Sequence, residues 1–213
     1  PQRMQLVVRG YNDGFAFCYK IPEGEGERVN VQSELTGYNF AGDYTAWFYN
    51  GENHNIGPEK LTETDGTRLP VMTVKAGVNH YMAIHEACLE TGAPLVLQSK
   101  GRESLFSVAS KPACLSPGYT SAWRVVLYGK TPGTLTDSHL LELLNPDPDP
   151  RYDFSWVKPG LAVWDWRING AVWDGFTYEM SYPSWVRMVD FAAGQGFKYL
   201  VLDANWYGPE FES

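Results

Sequence analysis

Residues 161–203 read LAVWDWRINGAVWDGFTYEMSYPSWVRMVDFAAGQGFKYLVLD. The first six, Leu161-Ala162-Val163-Trp164-Asp165-Trp166, are mostly apolar and suit a strand buried on both faces. Arg167 to about Tyr178 reads as a glycine-containing loop. Ser181-Tyr182-Pro183-Ser184 then opens a helix, with Ser181 or Tyr182 near the cap and Pro183 in the first turn. Trp185, Met188, Val189 and Ala192 recur at i, i+3, i+4 and i+7, which is one helical face. Gly194 or Gly196 closes it. Phe197 to Asp203 is a second buried strand. Strand, helix, strand with such connections is a βαβ unit, whose two strands run parallel.

Upstream the pattern differs. Asn145-Pro146-Asp147-Pro148-Asp149-Pro150 contains three prolines that fix φ and remove donors. It reads as a linker, so the predicted domains are 1–150 and 151–213. Residues 136–144 predict a short helix with Thr136 or Asp137 as N-cap. Before that, strands alternate with turns. Gln5-Leu6-Val7-Val8-Arg9 and Phe15-Ala16-Phe17-Cys18-Tyr19-Lys20 flank Asn12-Asp13-Gly14, a strong hairpin signal because Asp-Gly supplies positive φ cheaply. Further strands are read at 45–49, 71–74, 81–85, 95–97 and 123–128. This spacing predicts an antiparallel β-sandwich.

The chain has 213 residues and a net charge of -8, with 15% aromatic residues. Nucleic-acid binding relies on Lys and Arg neutralising phosphates, so this balance excludes it. No stretch approaches the roughly 18 apolar residues of a membrane span. Cys18, Cys88 and Cys114 form no CxxC pair, which argues against a zinc site.

In α/β folds, ligands gather beyond the C-terminal ends of parallel strands. Here those ends carry Trp164, Asp165, Trp166 and Arg167, then Asp203, Trp206 and Tyr207. Aromatic faces cover the C–H face of a pyranose and carboxylates accept from its hydroxyls. Large aromatics are also common core residues, and Trp185, on the helix stripe, reads as core. Asp165 and Asp203 could serve acid chemistry, or could orient Arg167 or a loop amide. Glu86 is a carboxylate in an otherwise apolar stretch, costly to bury unpaired. An arginine partner or a calcium ion would each resolve that cost.

The ordered motifs resemble glycoside hydrolase family 97, the bacterial α-glucosidase and α-galactosidase group. They run from Tyr11-Asn12-Asp13-Gly14-Phe15-Ala16-Phe17 through Ala83-Ile84-His85-Glu86-Ala87-Cys88-Leu89 and Ser121-Ala122-Trp123-Arg124-Val125-Val126. They continue with Leu143-Leu144-Asn145-Pro146, then Ser155-Trp156-Val157-Lys158-Pro159-Gly160, Trp164-Asp165-Trp166, and Phe191 through Asp203 to Trp206-Tyr207.

The resemblance implies an N-terminal β-sandwich followed by a (β/α)8 TIM barrel, of which residues 151–213 would be the first βαβ unit. A small C-terminal β domain would follow. It implies an exo-acting, calcium-dependent α-glycosidase acting on oligosaccharides, in the bacterial periplasm or secreted. Glu86 stands where the family draws a calcium ligand from its sandwich, although His85 replaces the usual Thr or Ser before it. The general acid and the base or nucleophile would lie beyond Ser213, so this stretch alone would be inactive. Trp164, Asp165, Trp166, Arg167, Asp203 and Trp206 become substrate-pocket candidates. The alternative is a non-catalytic carbohydrate-binding or interaction module.

Overall fold

The computed structural model describes residues 4–24, 26–49, 55–90, 92–101, 103–204 and 206–208. The remaining positions, Ser213 among them, lie outside the described residues. The chain divides into two units, Pro1–Asp147 and Pro148–Ser213.

The first unit is built from strands β1 (Gln5–Tyr11), β2 (Gly14–Lys20), β3 (Val29–Val31), β4 (Gly37–Asn39), β5 (Thr45–Tyr49) and β6 (Asn55–Lys60). It continues with β7 (Thr67–Gly77), β8 (His80–Ala87), β9 (Leu97–Ser99), β10 (Leu105–Val108), β11 (Ala113–Leu115) and β12 (Trp123–Gly129). The main sheet runs β1-β2-β12-β8-β7-β9-β10-β4, with β5 beside β7 and β6 beyond it, while β3 and β11 form a separate ribbon. Among the described residues every strand pairing in this unit is antiparallel. The long strand β7 curls the sheet. Its Thr67 and Arg68 pair with β9, while Met72 to Gly77 pair with β8. A curled antiparallel sheet of this kind is consistent with the expected sandwich.

The β1–β2 turn falls at Asn12 and Asp13, as Asp13-Gly14 predicts. Gly14 is required by space: a Cβ there would lie 2.3 Å from the carbonyl oxygen of Val126.

Alternation puts successive residues of β8 on opposite faces, and both faces are covered. Ile84 is 1% exposed and packs with Met72, Val74, Leu97 and Phe106 inside the curl. Ala83 is 3% exposed and joins Ala16, Cys18, Trp123 and Val125 under Leu140 and Leu144. Those leucines come from the helical segment after β12. The expected helix over 136–144 is instead two short helices, α1 (Pro132–Thr136) and α2 (Leu140–Leu143). The first is capped early by the Thr131 hydroxyl, which accepts from the Thr134 N–H. The break comes at Ser138, whose hydroxyl donates to the Asp13 carboxylate and accepts the Leu140 N–H.

The second unit contains β13 (Ala162–Trp164), α3 (Asp165–Ile168), β14 (Val172–Trp173), β15 (Phe176–Thr177), α4 (Tyr182–Gln195) and β16 (Tyr199–Val201). β13 and β16 pair in parallel, with Val163 opposite Leu200. Helix α4 begins after Ser181, carries Pro183 in its first turn, and ends at Gly196 with φ 72°. The left-handed region favours glycine at such a terminus.

Three local readings differ. The helical stripe buries Ser184, Met188 and Ala192, while Val189 is exposed. The strand expected over 161–166 is shorter and is not buried on both faces, since Ala162 and Trp164 are exposed. A two-stranded sheet packed by one helix has too little cover for both faces. Arg167 itself lies in the helical turn α3, and the loop that follows holds the hairpin β14–β15, whose corner residues Asp174 and Gly175 have φ 49° and 70°. That is the positive-φ pair that an Asp-Gly turn provides.

Candidate functional site

Each unit gathers its charged residues differently. In the first, Arg124 and Glu86 are direct neighbours across β12 and β8. Sharing the face of Ile84 and Val126 by alternation, they point into the curl. The Arg124 Nη1 donates to Glu86 Oε2 at 3.3 Å. Its Nε and Nη2 donate to the two oxygens of Glu34 at 2.9 and 2.6 Å, a forked pairing. Glu34 comes from the segment between β3 and β4, and its Oε1 also accepts the Thr36 hydroxyl. Both oxygens of Glu86 accept the Leu95 N–H at 2.9 Å. The side chains of Arg124, Glu86 and Glu34 are 6%, 11% and 17% exposed.

Burial pushes the Glu34 carboxyl up. The Arg124 hydrogen bonds and charge, with the Thr36 hydroxyl, outweigh it and hold the pKa below the usual value. Burial holds the His85 pKa down, against the pull of the Glu86 charge. The His85 Nδ1 accepts the Glu86 N–H at 2.8 Å. The Tyr38 hydroxyl is buried with no hydrogen-bond partner among the described residues. Its pKa is raised first by burial, and the Arg124, Glu34 and Glu86 charges all act on it.

Two carboxylates facing one guanidinium leave one negative charge in excess. Calcium takes about six to eight oxygens. Among the described residues no three His, Cys, Asp or Glu side chains converge to hold a metal. The described residues therefore form no complete calcium site, and the Glu86 carboxylate is held by Arg124 and the Leu95 N–H. A separate hollow of about 510 Å³ is lined by Cys88, Glu90, Cys114, Tyr119 and Trp123. Its Cys88 thiol is pushed up by burial and by Glu90, which makes it a poor nucleophile.

In the second unit, four of the six pocket candidates come together at the C-terminal ends of β13 and β16. The Trp164 Nε1 donates to Asp203 Oδ2 at 2.7 Å. The Arg167 guanidinium lies over the Trp164 ring, 5.0 Å from its centroid. Asp165 is 1% exposed. Its Oδ2 accepts the Trp185 indole N–H at 2.8 Å and its Oδ1 accepts the Asp203 backbone N–H at 3.0 Å. Trp166 and Trp206 are exposed and stay outside this hydrogen-bonded group. Trp206 meets Tyr207 edge-on at 5.5 Å.

Sequence reasoning anticipated an arginine for Glu86 without naming Arg124, and read Trp185 only as core. The signal for Arg124 was its place in an otherwise apolar strand, the feature that marked Glu86. Nothing local marks Glu34 or the role of Trp185, because both depend on pairing across long separations.

A family model described as Glycosyl-hydrolase 97 N-terminal matches residues 1–146. A Streptomyces bingchenggensis protein named as a probable retaining alpha-galactosidase is 30% identical, over 96% of this chain and 32% of its own length. A Bacteroides thetaiotaomicron retaining alpha-galactosidase is 27% identical, over 94% of this chain and 36% of its own. The chain thus spans about a third of the length of these relatives. Among solved structures, a glycoside hydrolase family 97 enzyme in complex with acarbose, from Pseudoalteromonas sp. strain K8, superposes with TM-score 0.78. It is 25% identical, over 98% of this chain and 35% of its own. A beta-arabinopyranosidase shares the fold at 18% identity and TM-score 0.78, over 97% of this chain and 36% of its own.

Proposed function

The chain belongs to glycoside hydrolase family 97, and on that premise we propose that it is part of a retaining α-galactosidase acting on oligosaccharides. The observation that carries this reading is the 30% identity over 96% of the chain to a protein of that name. In such an enzyme a carboxylic acid protonates the glycosidic oxygen while a second carboxylate attacks the anomeric carbon. Water then hydrolyses the glycosyl-enzyme. We assign neither carboxylate to this chain, and both would come from the rest of the longer protein. The second unit would open a (β/α)8 barrel, a reading supported by its parallel β13–β16 pair joined through α4. Trp164, Trp166, Arg167, Asp203 and Trp206 would face substrate at the strand ends. Family habit also favours export to the bacterial periplasm or exterior, which cell fractionation tests.

The test uses the longer protein on p-nitrophenyl α-galactoside and α-glucoside, with the product anomer followed by NMR. Preferred turnover of the galactoside with retained configuration is expected. An inverted first product, or no turnover of either substrate, counts against it.

We further propose that Glu86 supplies one carboxylate to a calcium ion, whose remaining ligands the rest of the protein provides. The excess negative charge of the Glu34–Arg124–Glu86 group supports this. Calcium would supply electrostatic stabilisation near the sugar. This chain's residues hold the Glu86 carboxylate in one orientation. Glu86→Gln in the longer protein is expected to lower calcium affinity by calorimetry, and an unchanged affinity counts against the assignment.

A further inference from the structure

We infer that Asp165 is a positioning residue that fixes the sugar-facing pair Trp164 and Asp203 from beneath, without itself touching substrate. This inference rests on the glycosidase reading for its consequence but on geometry for its substance.

The strand ends carry two layers. In the lower layer the Asp165 carboxylate is buried, and each oxygen is taken by a donor of a different element. The indole N–H of Trp185, on α4, donates to Oδ2 at 2.8 Å. The backbone N–H of Asp203, just past β16, donates to Oδ1 at 3.0 Å. Asp165 itself follows β13 directly. One carboxylate thus ties the helix and both strand ends together. In the upper layer the half-buried Asp203 side chain accepts the Trp164 indole N–H at 2.7 Å and the Ala204 N–H at 2.7 Å. Arg167 covers the Trp164 ring.

The coupling runs through the backbone of Asp203. Moving its amide moves the carboxylate that orients the Trp164 indole. Preorganised binding groups of this kind depend on supports locked by their own hydrogen bonds. The charge type of Asp165 is also specified. Both partners are donors, so an amide at this position must turn its NH2 toward an N–H. Asp165→Asn keeps the shape and breaks one bond.

The test uses the longer protein labelled with 5-fluorotryptophan, with the Trp164 resonance assigned by Trp164→Phe. Asp165→Asn is expected to shift the Trp164 resonance and to raise KM about threefold to tenfold, the loss of one hydrogen bond, with kcat changed less. Trp185→Phe removes one donor while keeping most ring volume. It should shift the same resonance more weakly, and it serves if Asp165→Asn fails to fold. A Trp164 resonance unmoved in every folded variant overturns the inference. So does a shifted resonance with unchanged KM on an active enzyme. If the longer protein hydrolyses no α-glycoside, the functional reading fails alone, and the fluorine spectrum still decides the positioning role.

Discussion

Replacing Arg124 by methionine isolates what the buried triad contributes. The side chain keeps most of its length and loses every donor. Among the described residues the Glu34 carboxylate retains the Thr36 hydroxyl, at 2.8 Å, and Glu86 retains the Leu95 N–H at 2.9 Å. Both carboxylates stay largely covered, and at 17% exposure for Glu34 and 11% for Glu86 water reaches them poorly. Removing one partner of a buried ion pair costs about 3–5 kcal/mol, because the other charge is left uncompensated. That is a large part of the roughly 5–15 kcal/mol that stabilises a typical domain. At about 2–4 °C per kcal/mol for a unit of this size, Tm should fall by about 6–20 °C. Thermal unfolding followed by far-UV circular dichroism reads it, since most strands belong to the first unit. Arg124→Lys should lie between, as an ammonium cannot make the forked pairing with Glu34. The triple variant Glu34→Leu, Arg124→Met, Glu86→Leu should recover most of the loss, because an apolar replacement leaves no charge stranded. A single Arg124→Met variant within about 1 kcal/mol of the parent, the range of exposed pairs, would falsify the reasoning.

Other outcomes are expected from the same unit. Tyr38→Phe removes a buried hydroxyl that has no partner among the described residues and should be neutral or stabilising by about 1–3 kcal/mol; a comparable loss in urea unfolding would mean the hydroxyl is satisfied by bound water. Gly14→Ala should destabilise strongly, since its Cβ would meet the Val126 oxygen at 2.3 Å; an unchanged melting temperature refutes that contact. Acid should weaken the fold through two groups whose folded pKa is lowered. For His85, stability is fully present above the unfolded value of about 6.5 and is lost as pH falls through the lower folded value. For Glu34 the loss starts near the unfolded value of about 4.3 and follows the same sign. His85→Gln should therefore flatten the pH dependence of Tm just below about pH 6.5, and an unaltered slope contradicts it.

The main elements were legible where local rules suffice. Asp13-Gly14 specified its hairpin, and Ser181, Pro183 and Gly196 bounded α4, because turn and cap chemistry is written in adjacent residues. The proline run at 145–150 was equally plain. What stayed hidden depended on distance along the chain. The curl of β7 needs β9 and β10, and the short helices after β12 arise from a Ser138–Asp13 bond spanning most of the first unit. At the site, periodicity named Trp185 as core, whereas the residue is only half-buried. Its indole N–H serves Asp165, which no spacing rule encodes. Asp165 and Asp203 looked alike as strand-end acids, and only burial separates the enclosed Asp165 from the half-buried Asp203.

The placement of Arg124 opposite Glu86 also bears on how the sheet assembles. Side chains alternate between faces, so a one-residue slip of β12 against β8 would carry Arg124 to the face where Ala16, Cys18 and Leu140 pack. A guanidinium would then sit among hydrocarbon, while Glu34 and Glu86 faced each other with no cation between them. The same slip would carry Trp123 and Leu127 off the face they share with Ala16 and Cys18. The ion triad adds an electrostatic penalty to that loss of packing. It works as a proofreading mark that penalises misaligned strands, whatever it adds to the final stability.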